Sequence, residues 1–301
     1  MEFLHWLENI RQPWLDEVML AVTHLGSEVA FLVIALIFFW CVDKRKGYYI
    51  LSVGFLGTII NQFMKLWFRI PRPWVLDPTL NPLEQALEGA GGFSFPSGHT
   101  QASVGTFGGI AHCVKNKFVK AVCILLAILV PFSRMYVGVH TPLDVGVAAA
   151  IAVALIFVVR PFVLGKNTKV FPLLMAIMVA LSAGYMCFIK MYDFPADIDP
   201  ERLQSGINSA YTMAGCLVGM LIVYIIDEKW LHFPVKGAWW AQILKVAVGL
   251  LLVLAIKSGL KTPLNALFGE YIGRAVRYFL MVIMAGIVWP LSFKLFAKSK
   301  R

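Results

Sequence analysis

Charge is what this sequence has little of. Asp, Glu, Lys and Arg supply 15% of its 301 residues and apolar residues 59%, whereas a soluble domain carries about 25% charged residues. That shortage excludes an ordinary soluble globule and a disordered chain, and it points to the bilayer. Acidic residues are scarcest, 17 against 27 basic ones. A net charge of +10 would suit nucleic acid, but the basic residues fall in short clusters between apolar segments, so no nucleic-acid partner is expected. Cys41, Cys113, Cys123, Cys187 and Cys216 lie in or beside apolar segments, with neither CxxC nor zinc-like spacing, which leaves them as small buried residues. The amino terminus lacks the basic flank and small-residue cleavage site of a signal peptide. Residues 1–23 instead mix Phe3, Leu4, Trp6, Leu7 and Ile10 with Glu2, Glu8, Arg11, Asp16 and Glu17, as in an amphipathic segment lying at a membrane interface.

What the sequence does have is length in apolar runs. A spanning helix needs roughly 20 mainly apolar residues, and nine segments qualify, near 24–42, 47–66, 98–114, 119–137, 141–160, 170–189, 206–226, 239–257 and 272–293. The expected fold is all-α, a polytopic membrane helical bundle. The third segment is short and rich in Gly, Ser and Thr, so other helices should shield it from lipid. Lys44, Arg45 and Lys46, then Lys115, Lys117 and Lys120, Arg160, Lys166 and Lys169, Lys229, Lys236 and Lys245, and finally Lys294, Lys298, Lys300 and Arg301 alternate correctly with nine spans. Positive-inside asymmetry makes that set cytoplasmic in a plasma (inner) membrane. The amino terminus is then outside and the carboxy terminus inside, and 67–97, 138–140, 190–205 and 258–271 face outward. Residues 67–97 are the longest connection, and a loop of that length usually has a function.

Three cations on the outer side oppose the trend, namely Lys65, Arg72 and Arg134. Each alone could anchor to headgroups; together they could bind one anion. Arginine forks match phosphate oxygens and lysine adds a point charge, so the three suit a phosphate monoester or a diphosphate. Pro71 and Pro73 hold Arg72 in an extended turn. Ser97 and Gly98 open the third segment, where free backbone N–H groups favour an anion and glycine admits close approach. His140 and Asp144 are four apart and so share a helix face. The carboxylate can take the proton of one ring nitrogen and leave the other free and nucleophilic. His99 can give a proton to a leaving oxygen and later take one from water. These groups suffice for phosphoryl transfer through a phosphohistidine with no metal and no cofactor, the cations doing the work that magnesium does elsewhere. The bland alternatives are specific. A lone histidine at a helix start is usually structural, and "TPLD" is also a helix start with Thr141 as N-cap, Pro142 at N1 and Asp144 near N3.

Taken together, the stretches Lys65…Arg72-Pro73, Pro96-Ser97-Gly98-His99 and Ser133-Arg134…His140…Asp144 resemble the signature of the type 2 phosphatidic acid phosphatase superfamily, or lipid phosphate phosphatases: K-x6-RP, PSGH and SR-x5-H-x3-D, matched at every motif position. The resemblance covers a six-span core over 24–190 and leaves 191–301, about three extra spans, unexplained. It implies His140 as nucleophile, Asp144 as its orienting carboxylate and His99 as the acid. It also implies phosphate binding by Lys65, Arg72 and Arg134, with hydrogen bonds from Ser97, Gly98 and Ser133. Membrane members act on lipid phosphates or polyprenyl diphosphates, so a lipid phosphate is the expected substrate. Undecaprenyl diphosphate, phosphatidylglycerophosphate, phosphatidic acid and sphingoid phosphates are the candidates.

Two rival functions remain open on sequence. A phosphotransferase would use the same residues with another acceptor. A transporter of phosphorylated solutes would need ionisable residues deep within its spans, and the span interiors look nearly free of charge. The last three spans suit packing, a dimer surface (hence a homo-oligomer) or one wall of a lipid entry slot. Lys257 in "KSGLKTPLNALFG" only faintly echoes Lys65. Asp193, Asp197, Asp199 and Glu201 lack the ligand spacing of a calcium loop. Trp239 and Trp240 suit an interfacial anchor.

Overall fold

The architecture comes from a computed structural model that describes residues 1–88 and 90–296. Lys298, Lys300 and Arg301, assigned above to a cytoplasmic tail, lie outside the described residues. Every regular element among the described residues is helical. The chain opens with α1 (Glu2–Asn9), α2 (Pro13–His24) and α3 (Glu28–Ile37), the last continuing as a π turn to Val42. Next come α4 (Lys44–Phe68), the short α5 (Pro73–Leu76), and the third apolar segment as α6 (Gly98–Ser103), a π turn and α7 (Gly109–Cys113). Then follow α8 (Lys117–Tyr136), α9 (Pro142–Leu164), α10 (Phe171–Met191), α11 (Pro200–Ile226), α12 (Trp239–Gly259), α13 (Lys261–Phe268) and α14 (Glu270–Ile283).

All nine expected segments are helical. Seven helices among the described residues are long and apolar enough to cross a membrane, and α2 with α3, bent by 55°, form an eighth if counted as one span. The shortfall from nine is the third segment. Its three pieces of six, five and five residues run on without a break over 98–113, about 24 Å at 1.5 Å per residue, short of a hydrocarbon core of about 30 Å. It survives because it is enclosed: Thr100, Gln101, Ser103 and Thr106 are all buried. Small residues on α4 make room for it. A Cβ on Gly57 would sit 1.5 Å from the Gln101 Nε2.

The chain divides into two compact units, 1–32 with 49–161 and 194–206, and 33–48 with 162–193 and 207–301. In the second unit, the half-buried Lys44 and the buried Lys245 are each met by acceptors. The Lys44 ammonium donates to both Asp227 oxygens at 2.9 and 2.7 Å, and Lys245 donates to the carbonyls of Pro234 and Val235 at 3.1 and 2.9 Å.

In the first unit, α1 has two roles. Leu4 and Leu7 are buried against Leu80, Ala86, Ala90, Tyr136, Val137 and Val139, a contribution of about 1.5–3 kcal/mol each. Phe3 and Trp6 remain exposed, as an interfacial segment requires. Polar contacts fasten the same helix to the 67–97 loop. The His5 Nε2 meets the Asp77 Oδ2 at 2.9 Å, the Asn81 amide donates to Glu8 at 2.9 Å, and Arg11 donates to the carbonyls of Asn81 and Tyr136.

The His5–Asp77 pair makes this clamp pH-sensitive. The hydrogen bond to Asp77 raises the His5 pKa, and hydrogen bonds from Thr79 and His5 hold Asp77 down to about 2. The histidine's contribution is complete below about 6.5 and fades as pH climbs through its raised folded value. The aspartate's is complete above about 3.9 and fades as pH falls toward its folded value. Amide exchange across 77–88, corrected for its intrinsic pH dependence, is therefore expected to be slowest between those limits and to accelerate above pH 7. His5→Ala should flatten that rise, and an unchanged rise in the variant would rule the clamp out.

Candidate active site

The site residues chosen from sequence all belong to the first unit. Lys65 comes from the last turn of α4, and its ammonium donates to the carbonyls of Phe93 and Ser94. Arg72 is the N-cap of α5, in extended backbone before Pro73. Its Nε and Nη2 donate to Gly92 O at 3.2 Å and Gly91 O at 3.1 Å. Its Nη1 donates to Val139 O and reaches His140 Nε2, each at 3.0 Å. Arg134, near the end of α8, spends only Nη1, on Thr23 Oγ1 at 2.8 Å. Its Nε and Nη2 are buried without a partner.

Lys65, Arg72 and Arg134 are 7%, 3% and 1% exposed, and no carboxylate among the described residues forms an ion pair with any of them. Burying cations without counter-charge is costly. With two donors of Arg134 unspent, the three side chains can meet an anion that enters there.

His140 follows the tight turn after α8, where Gly138 takes φ +83°. Arg72 can only donate, so the His140 Nε2 accepts and Nδ1 carries the proton. Nδ1 faces Asp144 Oδ2 and Ser94 Oγ, each at 3.4 Å. Oδ2 is itself fixed by the Ser94 hydroxyl at 2.7 Å and by the Thr141 N–H at 2.8 Å. The Thr141 hydroxyl accepts from the Asp144 N–H at 3.2 Å. The helix-capping and histidine-orienting readings of Asp144 are thus compatible, because one carboxylate does both. Burial holds the His140 pKa well below its ordinary value, reinforced by Arg72, Arg134, Lys65 and His99. The ring is therefore neutral at neutral pH, with Nε2 presented to the cations.

Ser97 caps α6, accepting from the Thr100 N–H at 3.4 Å, and its own N–H donates to Asp144 O at 3.1 Å. Gly98 faces open space, since a Cβ there would come no closer than 4.0 Å to Asn61 Oδ1. His99, one residue on, is partly exposed, unlike the sealed His140. The Ser133 hydroxyl donates back to Val130 O at 2.7 Å and so belongs to its own helix.

Three participants escaped the sequence. Ser94 bridges His140 and Asp144, although its position three residues before Ser97 could have suggested it. Thr23 anchors Arg134 from 111 residues away. Asn61 is one turn before Lys65 and 3% exposed, with both amide atoms unpartnered beside Gly98. Nothing in a hydropathy pattern marks either of the last two. Ser94→Ala is expected to lower turnover about 10-fold, since one hydrogen bond to a charged group is worth about 1.5–3 kcal/mol. KM should stay within about twofold, because the Ser94 hydroxyl meets His140 and Asp144, while its contact with Lys65 is through the carbonyl, which alanine keeps. A changed KM with normal kcat would remove Ser94 from this role.

Helices of membrane-spanning length, carrying a buried imidazole held between Arg72 and Asp144, define an integral-membrane protein. Comparison with known proteins agrees. The PAP2 superfamily description matches residues 45–168, and that of the PAP2 superfamily phosphatase transmembrane extension matches 211–301. Phosphatidylglycerophosphatase B of Bacillus subtilis is 32% identical over 51% of this chain and 77% of its own length. Undecaprenyl-diphosphatase BcrC of the same organism is 28% identical over 50% and 79%. The crystal structure of a transmembrane PAP2 type phosphatidylglycerolphosphate phosphatase from Bacillus subtilis matches at 31% identity. It covers 55% of this chain and 85% of that one, with a TM-score of 0.47. The chain belongs to the PAP2 superfamily.

Proposed function

We propose that this protein is a lipid phosphate phosphatase that works through a phosphohistidine. The observation that carries the reading is the buried His140, whose Nε2 meets Arg72 Nη1 at 3.0 Å and whose charged form is opposed by Arg72, Arg134 and Lys65, with two donors of Arg134 left unspent. A lipid phosphate places its phosphoryl oxygens on the three cations, on the Gly98 N–H and on the Ser97 hydroxyl, whose oxygen accepts from Thr100 and whose proton is free to donate. Nε2 attacks phosphorus, an N–P bond forms, and the P–O bond to the lipid breaks. His99, which takes up a proton as the phosphate anion offsets the neighbouring cations, passes that proton to the leaving oxygen. His99 then takes a proton from water as that water attacks the phosphohistidine, and inorganic phosphate departs. Asp144 holds the His140 Nδ1 proton throughout and stabilises the charge that develops on the ring.

The relatives named above support a lipid substrate. Phosphatidylglycerophosphate and undecaprenyl diphosphate lead the candidates, followed by phosphatidic acid and sphingoid phosphates. The site faces outward and the carboxy terminus lies inside. The catalysis needs no metal, because the three cations neutralise the phosphoryl charge.

The test is phosphate release by the purified protein from a panel of these lipids with EDTA present. Release with a preference among them is expected. Activity abolished by EDTA and restored by a divalent ion would refute metal independence, and no release from any lipid phosphate would refute the function. A cysteine introduced at position 78 should react with an impermeant reagent added to intact cells. Reaction only after the cells are opened would reverse the orientation.

A further inference from the structure

The second unit holds a pair of arginines that the proposed reaction does not use. Arg274 and Arg277 are three apart on α14 and therefore share a face. Arg277 lies two turns into the span and is 4% exposed, and its Nε and Nη1 are buried without partners. The Arg274 Nε is likewise buried and unpartnered. No carboxylate among the described residues forms an ion pair with either arginine. The one acidic residue between 257 and 277, Glu270, is exposed, while Lys257 and Lys261 add to the positive charge of that stretch. The Cβ that Gly273 lacks would fall 2.7 Å from Leu264 O and 2.8 Å from Asn265 Oδ1. The glycine therefore lets α13 close onto α14 and brings Asn265 against that helix at the residue before Arg274. The Asn265 Oδ1 is itself buried and unpartnered.

Charged side chains inside a membrane segment normally pair with one another or mark a binding site. Each guanidinium here has a buried donor with nothing to meet, and unsatisfied buried donors are destabilising. We infer that Arg274 and Arg277 form a second anion site, separate from the catalytic one, that takes the phosphate of a phosphate-bearing ligand. Two arginine forks on one helix face can hold two oxygens of one phosphate. The Asn265 carbonyl can accept a hydrogen bond from a hydroxyl on the ligand. A lipid headgroup and free phosphate share this chemistry. A phosphodiester lipid bearing a headgroup hydroxyl uses all three groups and offers no terminal phosphate to hydrolyse.

The test uses the full-length protein, delipidated in detergent, and native mass spectrometry with phosphatidylglycerol, phosphatidylcholine or inorganic phosphate as probe. The wild-type protein is expected to retain phosphatidylglycerol about 10-fold more tightly than phosphatidylcholine, and Arg274→Met with Arg277→Met should erase that preference. Retention of inorganic phosphate that is lost in the same double variant would assign the site to the free ion, still as an arginine-built phosphate site. Equal binding of both lipids by the wild type, with no arginine-dependent retention of phosphate, overturns the inference. Arg274→Gln, at the less buried position, is the variant to use if the double substitution does not fold. It should weaken phosphatidylglycerol binding, and unchanged binding also counts against the site. Phosphatase activity on a short-chain soluble substrate should persist in these variants, which separates this site from the catalytic one.

Discussion

His140→Ala is expected to lower phosphate release by at least about 10⁴-fold and to abolish the labelled phosphoenzyme trapped by acid quench. The size follows from the role, since removing a nucleophile removes the covalent route rather than one stabilising contact. The geometry makes the result specific to one nitrogen. Nε2 faces Arg72 at 3.0 Å, while Nδ1 is turned to Asp144 and Ser94. Asp144→Asn should therefore cost about 10²- to 10⁴-fold through loss of the correct tautomer and of charge stabilisation. The asparagine can still accept from the Thr141 N–H, so α9 keeps its cap and the variant should fold. Phosphoenzyme that still accumulates in His140→Ala would move the nucleophile to another residue, His99 first.

pH gives an independent check. Burial and the neighbouring cations hold the His140 pKa well below 6.5, and in the proposed reaction the neutral ring is the reactive form. The active species therefore persists as pH falls below the ordinary imidazole value and is lost only lower down. The acid limb of kcat/KM reports groups of the free enzyme and free substrate, so the limb due to His140 should fall below 6.5. It should be measured with substrates of different phosphate pKa, so that the substrate's own titration is recognised by its movement. A fixed limb at 6.5 or above would show that His140 is not the titrating nucleophile.

The motif residues were legible because their chemistry is local. Arg72 between two prolines, Ser97-Gly98 at a helix start, and His140 with Asp144 one turn apart are all set by neighbours in sequence, and the structure gathers them in one unit. The supports were less legible because their spacing carries no period. The carbonyls that hold Lys65 and Arg72 come from Gly91 to Ser94 and from Val139, all in irregular chain. The segment 1–23 reads as amphipathic, and only the fold reveals that Leu4, Leu7, His5 and Arg11 fasten the long loop. Sequence also misled in one respect. The span interiors seemed nearly free of charge, yet Arg277 lies two turns into the last span and Lys245 two turns into α12, both buried. A hydropathy window averages such residues away.

Arg134→Met is expected to separate stability from activity. Arg134 is 1% exposed, holds one hydrogen bond to Thr23, and leaves Nε and Nη2 unspent. A buried unsatisfied donor costs about 1–3 kcal/mol, and an apolar residue of similar volume in place of a buried charge is often neutral or stabilising. The variant should thus melt at or above the wild-type temperature in the absence of ligand. Its kcat/KM should fall about 10²- to 10³-fold, the usual cost of losing a preorganised donor to developing charge, about 2.7–4 kcal/mol. Orthovanadate, which mimics the phosphoryl group in flight, should raise the melting temperature of the wild type and do so far less in the variant. Arg134→Lys restores the charge but not the fork, so it should recover only part of the lost rate. If Arg134→Met instead unfolds at lower temperature while its folded fraction turns over normally, Arg134 is a structural tie to Thr23. The phosphate site would then rest on Lys65 and Arg72 alone.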